Sequence, residues 1–110
     1  LKLPNGDKAI VEIEKFTEYA LNPDHPTGRH KAHVFEAVLG MTLKDAAYMQ
    51  EMVADIAKTH QAEIETPTQY GQRYVIDFEL TTGTGTAIIR SAWIIRNEED
   101  FPRLTSCYIK

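Results

Sequence analysis

The sequence predicts an α+β fold in which about three N-terminal helices pack on one face of a C-terminal antiparallel sheet of three to four strands. Two observations carry that expectation. Apolar residues recur at three-to-four spacing from about 12 to 60, then alternate at every second residue from about 62 to 110; these are the periods of a helix face and of a strand face. The 110 residues are 43% hydrophobic and 25% charged. That is enough apolar material for one core in a chain of the commonest domain size, so residues 1–110 are expected to form a single domain.

The elements follow in order. Leu3-Pro4-Asn5-Gly6-Asp7 is turn chemistry, and the apolar Ala9 to Val11 reads as an edge strand. Ile13, Phe16, Tyr19 and Ala20 form the apolar stripe of a helix from Glu12 to Leu21, ended by Asn22-Pro23. The prolines and glycine of residues 22–28 forbid regular structure. A second helix from Arg29 to Leu39 buries Ala32, Phe35, Val38 and Leu39, with Gly40 placed for a left-handed C-terminal cap. Thr42 caps a third helix from Leu43 to about His60; Asp45 completes a capping box, and Met41 staples onto Ala46. Its buried stripe reads Leu43, Ala46, Ala47, Val53, Ile56 and Ala57, with Met49 or Met52 alongside.

In the second half, Ala62 to Glu65 reads as a fourth, edge strand. Tyr74, Ile76, Phe78 and Leu80 alternate with Arg73, Val75, Asp77 and Glu79. Thr86 to Arg96 is the most apolar stretch and reads as the central strand, and Leu104 to Ile109 as the last. A hairpin with Val75 opposite Arg90 and Arg73 opposite Ala92 puts Arg73, Asp77, Glu79, Arg90 and Arg96 on one sheet face. Tyr74, Ile76, Phe78, Ala87, Ile89, Trp93 and Ile95 are left on the face that packs on the helices.

Composition excludes several functions. The net charge is −4: residues 1–70 hold seven Lys or Arg against eleven Asp or Glu, and residues 71–110 hold five of each. A general nucleic-acid coating protein would be basic. The single cysteine, Cys107, excludes an internal disulfide and a cysteine-based zinc site, and its apolar surroundings mark it as a core residue. There is no apolar run of membrane-span length and no basic-then-apolar leader, so no membrane partner and a cytoplasmic location are expected. A start at Leu1 rather than Met points to a trimmed or excised segment.

The densest chemistry lies in His25-Pro26-Thr27-Gly28-Arg29-His30-Lys31, at the start of a helix. Free N–H groups there favour a phosphate or carboxylate, and histidine suits acid–base work near neutral pH; the alternative is a solvated helix entry. His30 and His33 share a helix face, but zinc sites need three or four closely spaced ligands, so no metal and no other cofactor is expected. On the polar sheet face, Asp77 pairs with Arg90 or Arg73, or else the arginines clamp an anion. Gly83-Thr84-Gly85 is a hairpin turn, because no helix follows it to make a phosphate loop.

The blocks Leu3-Pro4-Asn5-Gly6, Tyr19-Ala20-Leu21-Asn22-Pro23, His25-Pro26-x-Gly28-x-His30-Lys31-Ala32, Tyr70-Gly71-x-Arg73-Tyr74, Arg90-Ser91-x-Trp93-Ile94-Ile95 and Pro102-Arg103-Leu104-Thr105-Ser106-Cys107-Tyr108 together resemble a small bacterial domain-of-unknown-function family across nearly the whole chain. More distantly, helices before a four-stranded sheet, a Gly-x-His-Lys helix start and a closing Leu-Thr-Ser-x-Tyr strand are similar to the barnase/colicin/RelE-type ribonuclease toxins. That resemblance implies metal-independent RNA cleavage, with a small neutralising protein as partner. His30 would be the base or acid, Lys31, Arg73 and Arg90 would hold the phosphate, and Thr105 or Ser106 would position it. The rival functions are a non-catalytic protein-binding module of the antitoxin or immunity type, which the acidic helical half suits, and a small-anion or nucleotide-binding domain.

Overall fold

The change of period after Gln61 marks the boundary between two layers. In the computed structural model, which describes residues 1–110, a π-helical segment (Lys15–Ala20), α1 (Arg29–Leu39) and α2 (Ala46–Thr59) precede the strands β1 (Glu63–Ile64), β2 (Gly71–Thr81), β3 (Thr86–Arg96) and β4 (Arg103–Ile109). The four strands lie in the order β1-β2-β3-β4, each antiparallel to its neighbour. Ile10 adds one parallel bridge outside β4, with its N–H donating to Pro102 O at 2.9 Å and its carbonyl accepting from Leu104 N–H at 3.0 Å. No helix is long and apolar enough to cross a membrane.

Expected and observed elements differ where packing overrides local pattern. The first helix is shorter than 12–21 and is π-wound, with the Leu21 N–H bonding back to Phe16 O at 2.9 Å. The wider turn brings Phe16, Ala20 and Leu21 into the core together and leaves Lys15 and Tyr19 on the outer side. Gly40 adopts the left-handed cap at φ 67°. The capping box forms: Thr42 N–H donates to Asp45 Oδ2 at 2.9 Å. The residues it starts, Leu43–Asp45, are a tighter 3₁₀ turn ahead of α2. That turn swings Leu43 outward to 43% exposure, and the buried stripe is Ala46, Met49, Val53, Ile56 and Ala57, with Ala47 exposed.

The hairpin register is two residues from the expected one: Val75 faces Ala92, Arg73 faces Ile94 and Asp77 faces Arg90. The turn is held one position further along on each side, because Thr81 pairs with Thr86 while Thr82 Oγ1 donates to Leu39 O, at the end of α1, at 2.8 Å. A shift of two preserves the alternation, so the division of side chains between the faces stands. The helix-facing side holds the core: Trp93 is 0% exposed among Phe16, Phe35, Met49, Ile76, Phe78 and Ile89. Its indole N–H donates to Ser91 Oγ at 2.9 Å, and Ser91 donates onward to Ile76 O at 2.9 Å, so the fully buried Ser91 hydroxyl is satisfied.

Candidate functional site

A cleft of about 260 Å³ opens where the π-helical segment and the start of α1 meet the outer edge of β4. Lys15, Tyr19, Ala20, Thr27, Gly28, Lys31, Thr105, Ser106 and Cys107 line it. Two lysines and four hydroxyl-bearing side chains converge there, and no carboxylate does.

Local structure explains each wall. His25 Nδ1 accepts the N–H groups of Thr27 at 3.1 Å and Gly28 at 2.8 Å, so in this arrangement the proton of the neutral ring resides on Nε2. The same ring rests against Tyr19, with centroids 4.5 Å apart. The loop is thereby tied to the π-helical segment. Arg29 N–H bonds to His25 O and Ala32 N–H to Gly28 O, which leaves the N–H groups of His30 and Lys31 in the first turn of α1 without protein acceptors.

The opposite wall depends on an irregularity in the sheet. Trp93 pairs with Leu104, but Ala92 pairs with Ser106, so Thr105 is an extra residue on β4. Adjacent strand residues normally point to opposite faces; at this bulge Thr105 stands out of the ladder, and Thr105, Ser106 and Cys107 run in succession along the cleft wall. Thr105 Oγ1 also donates to Ala92 O at 3.1 Å, which fixes the hydroxyl.

The structure brings Lys31, Thr105 and Ser106 together. Arg90 joins them indirectly: it lies opposite Tyr108 on β4, and the Lys31 ammonium sits 4.3 Å from the centre of that tyrosine ring. The Arg90 guanidinium is bonded to Asp77 through Nε at 2.8 Å and Nη2 at 3.0 Å, and Lys110 Nζ reaches the same carboxylate at 3.1 Å. The Arg90 bonds hold the Asp77 carboxyl below the usual carboxylate range, against the opposing effect of burial, and Lys110 adds to the lowering. Arg73, opposite Ile94, is exposed and does not line the cleft, and neither does the exposed His30 imidazole. Cys107 touches the cleft from the core; burial pushes its thiol up to about 12, so it stays protonated at neutral pH. No group of three His, Cys, Asp or Glu side chains converges as a metal site would require.

Sequence reasoning left Lys15 and Tyr19 out of the site: Lys15 is a single charge in an expected helix, and Tyr19 reads there as part of the apolar stripe. Tyr108 reads as one of the hydroxyls of the last strand, with β-propensity explaining it equally well.

Comparison with known proteins sets this geometry in context. A chain from a contact-dependent growth inhibition toxin–immunity protein complex from Klebsiella pneumoniae 342 has the same fold, with a TM-score of 0.65 over 92% of this chain and 99% of that one, at 14% sequence identity. No curated protein matches the sequence. The family model of the domain of unknown function DUF6883 matches residues 2–110, and the chain belongs to that family.

Proposed function

We propose that this chain is a toxin-like, metal-independent endoribonuclease domain, one half of a toxin–immunity or toxin–antitoxin pair. One observation carries the reading. In a chain of net charge −4, the cleft at β4 gathers Lys15, Lys31 and four hydroxyls with no carboxylate. Such a cavity attracts a phosphodiester and repels nothing in it. The shared fold with a chain of a toxin–immunity complex supports the biological setting. A small cognate protein that places an acidic segment over the two lysines would neutralise the domain.

The reaction needs no metal-bound water, because RNA carries its own nucleophile. A base takes the proton of the ribose 2′-OH, the 2′ oxygen attacks phosphorus, and the P–O5′ bond breaks as an acid protonates the departing 5′ oxygen. The products are a 2′,3′-cyclic phosphate and a 5′-hydroxyl. Lys31, with the open N–H groups of His30 and Lys31, holds the phosphate oxygens, and Thr105 and Ser106 orient them. His30, whose exposed imidazole is outside the cleft lining, is assigned to proton transfer. Arg90 supplies charge behind Tyr108, and Arg73 contacts the strand further along the sheet face.

The test is cleavage of single-stranded RNA in EDTA, with analysis of the product ends. Lys31→Ala, His30→Ala and Arg90→Ala are each expected to lower kcat/KM by at least ~100-fold, the scale of a lost charge clamp or acid–base group. A wild-type chain that leaves RNA intact sinks the enzyme reading. The immunity-type binding module would then gain, since the Arg90–Asp77–Lys110 cluster already pairs charge on an open sheet face with no ligand needed.

A further inference from the structure

We propose that a second groove, beside the first, is a nucleobase subsite for the nucleotide next to the scissile phosphate; this rests on the ribonuclease reading. The groove, about 490 Å³, is lined by Gln69, Tyr70, Ile94, Arg96, Asn97, Glu98 and Thr105. Thr105 lines both cavities, so the bulge residue of β4 is the threshold between them. A ligand held by its phosphate in the cleft has this groove as its adjoining space.

The lining fits a base better than a second phosphate. Tyr70 is 66% exposed, yet its backbone is firmly held. Its N–H donates to Thr68 Oγ1 at 3.2 Å, its carbonyl accepts from Asn97 N–H at 3.0 Å, and Asn97 Nδ2 donates to Gln69 O at 2.7 Å. Gly71 follows, where any side chain would collide with Ile95 O, a Cβ standing 2.1 Å from it. Only glycine lets β2 start this close to the end of β3, and the contact locks Tyr70 in place. A large ring kept in water on a backbone that is already fixed is a stacking platform whose main-chain ordering precedes the ligand.

Ile94 gives the groove an apolar floor beside the ring. The Gln69 amide, Asn97 Oδ1 and Arg96 in the same lining offer donors and acceptors. Glu98 disfavours a second phosphate but accepts from the amino and imino N–H groups of guanine or from the amino group of cytosine. The chemistry is that of a flat, polar-edged ring attached to an anion, a nucleotide of single-stranded RNA.

The experiment titrates a non-cleavable single-stranded RNA, 2′-O-methylated throughout, against wild type, Tyr70→Ala and Tyr70→Phe, with inorganic phosphate as competitor for the first cleft. Tyr70→Ala is expected to weaken RNA binding by about 10-fold or more, the scale of a lost base stack, with phosphate affinity unchanged; Tyr70→Phe should stay near wild type. If wild type binds RNA in competition with phosphate and Tyr70→Ala binds equally well, the subsite is overturned and the ribonuclease reading stands. If wild type binds neither RNA nor phosphate, the first cleft is misread and the subsite falls with it. If Tyr70→Ala folds normally and loses binding to a co-purifying protein but not to RNA, the groove is a protein interface and the subsite is again overturned.

Discussion

Deleting Thr105 separates the role of the bulge from the role of the fold. Trp93 already pairs with Leu104 and Ala92 with Ser106, so removal of the intervening residue joins two correctly alternating segments of β4. Leu104 and Cys107 stay in the core, and Ser106 and Tyr108 stay on the other face. The deletion loses the Thr105–Ala92 hydrogen bond, a net contribution of about 1 kcal/mol. It also removes the cost of ordering one backbone residue, about 1–2 kcal/mol. The two nearly offset, so urea unfolding followed by circular dichroism should give a stability within ~1 kcal/mol of wild type. Activity should behave differently. The bulge sets where Thr105 and Ser106 stand along the cleft wall, and a displacement near 1 Å at a reacting centre costs roughly 100-fold. RNA cleavage should therefore fall by that factor or more in a folded protein. A deletion variant that is folded and cleaves as well as wild type would refute the assignment of β4 to the site; one that unfolds would refute the register argument.

Other consequences are as direct. Trp93→Ala should cost on the order of 3–5 kcal/mol in urea unfolding, and a loss below about 1 kcal/mol would contradict complete burial of the indole. For Asp77, whose carboxyl is held low by Arg90, the stabilisation is present above the ordinary carboxylate range and lost as pH falls through its depressed value. The side chains of Asp77 and Arg90 are 30% and 26% exposed, so solvent screening keeps the contribution below about 1 kcal/mol; the stability gap between wild type and Asp77→Asn should vanish in strong acid, and a gap unchanged there would contradict the pairing. Cys107 should resist iodoacetamide at neutral pH until the chain unfolds, and rapid labelling of the native protein would show that the thiol is neither buried nor raised.

The fold was legible because its signals are local and repeated. Period-two alternation through Tyr74, Ile76, Phe78 and Leu80 and the Thr42–Asp45 box each state an element in a few residues, and each formed. The two-residue error in register was harmless because strand faces depend only on parity. The site was less legible. Lys31, Thr105 and Ser106 were visible as residue types, but their meeting depends on how the start of α1 sits against β4. The bulge at Thr105 and the π-wound segment that adds Lys15 to the cleft have no sequence motif. Arg90 illustrates the converse: the sequence allows it an anion or Asp77 as partner, and only the cross-strand register places Asp77 opposite.

Net charge, the strongest argument in the sequence against nucleic acid, weakens once charges have positions. Exposed charges act over a Debye length of about 8 Å at physiological salt, so a phosphate in the cleft experiences its lining far more than the distant surface. That lining contributes Lys15 and Lys31. The cluster behind Tyr108 adds one more positive charge, since Arg90 and Lys110 share the single carboxylate of Asp77. The surplus acids of the helical half, among them Glu36, Glu51 and Asp55, are exposed and outside the cleft lining. An acidic exterior around a small cationic cleft repels RNA everywhere except where a strand can enter, which favours a footprint of a few nucleotides over duplex coating. Two to three neutralised phosphates would give a slope of log K against log salt of about −1.4 to −2.1, the single-strand scale. A much steeper slope would mean that RNA spreads over a wider basic surface than this molecule possesses, and would place the binding face elsewhere.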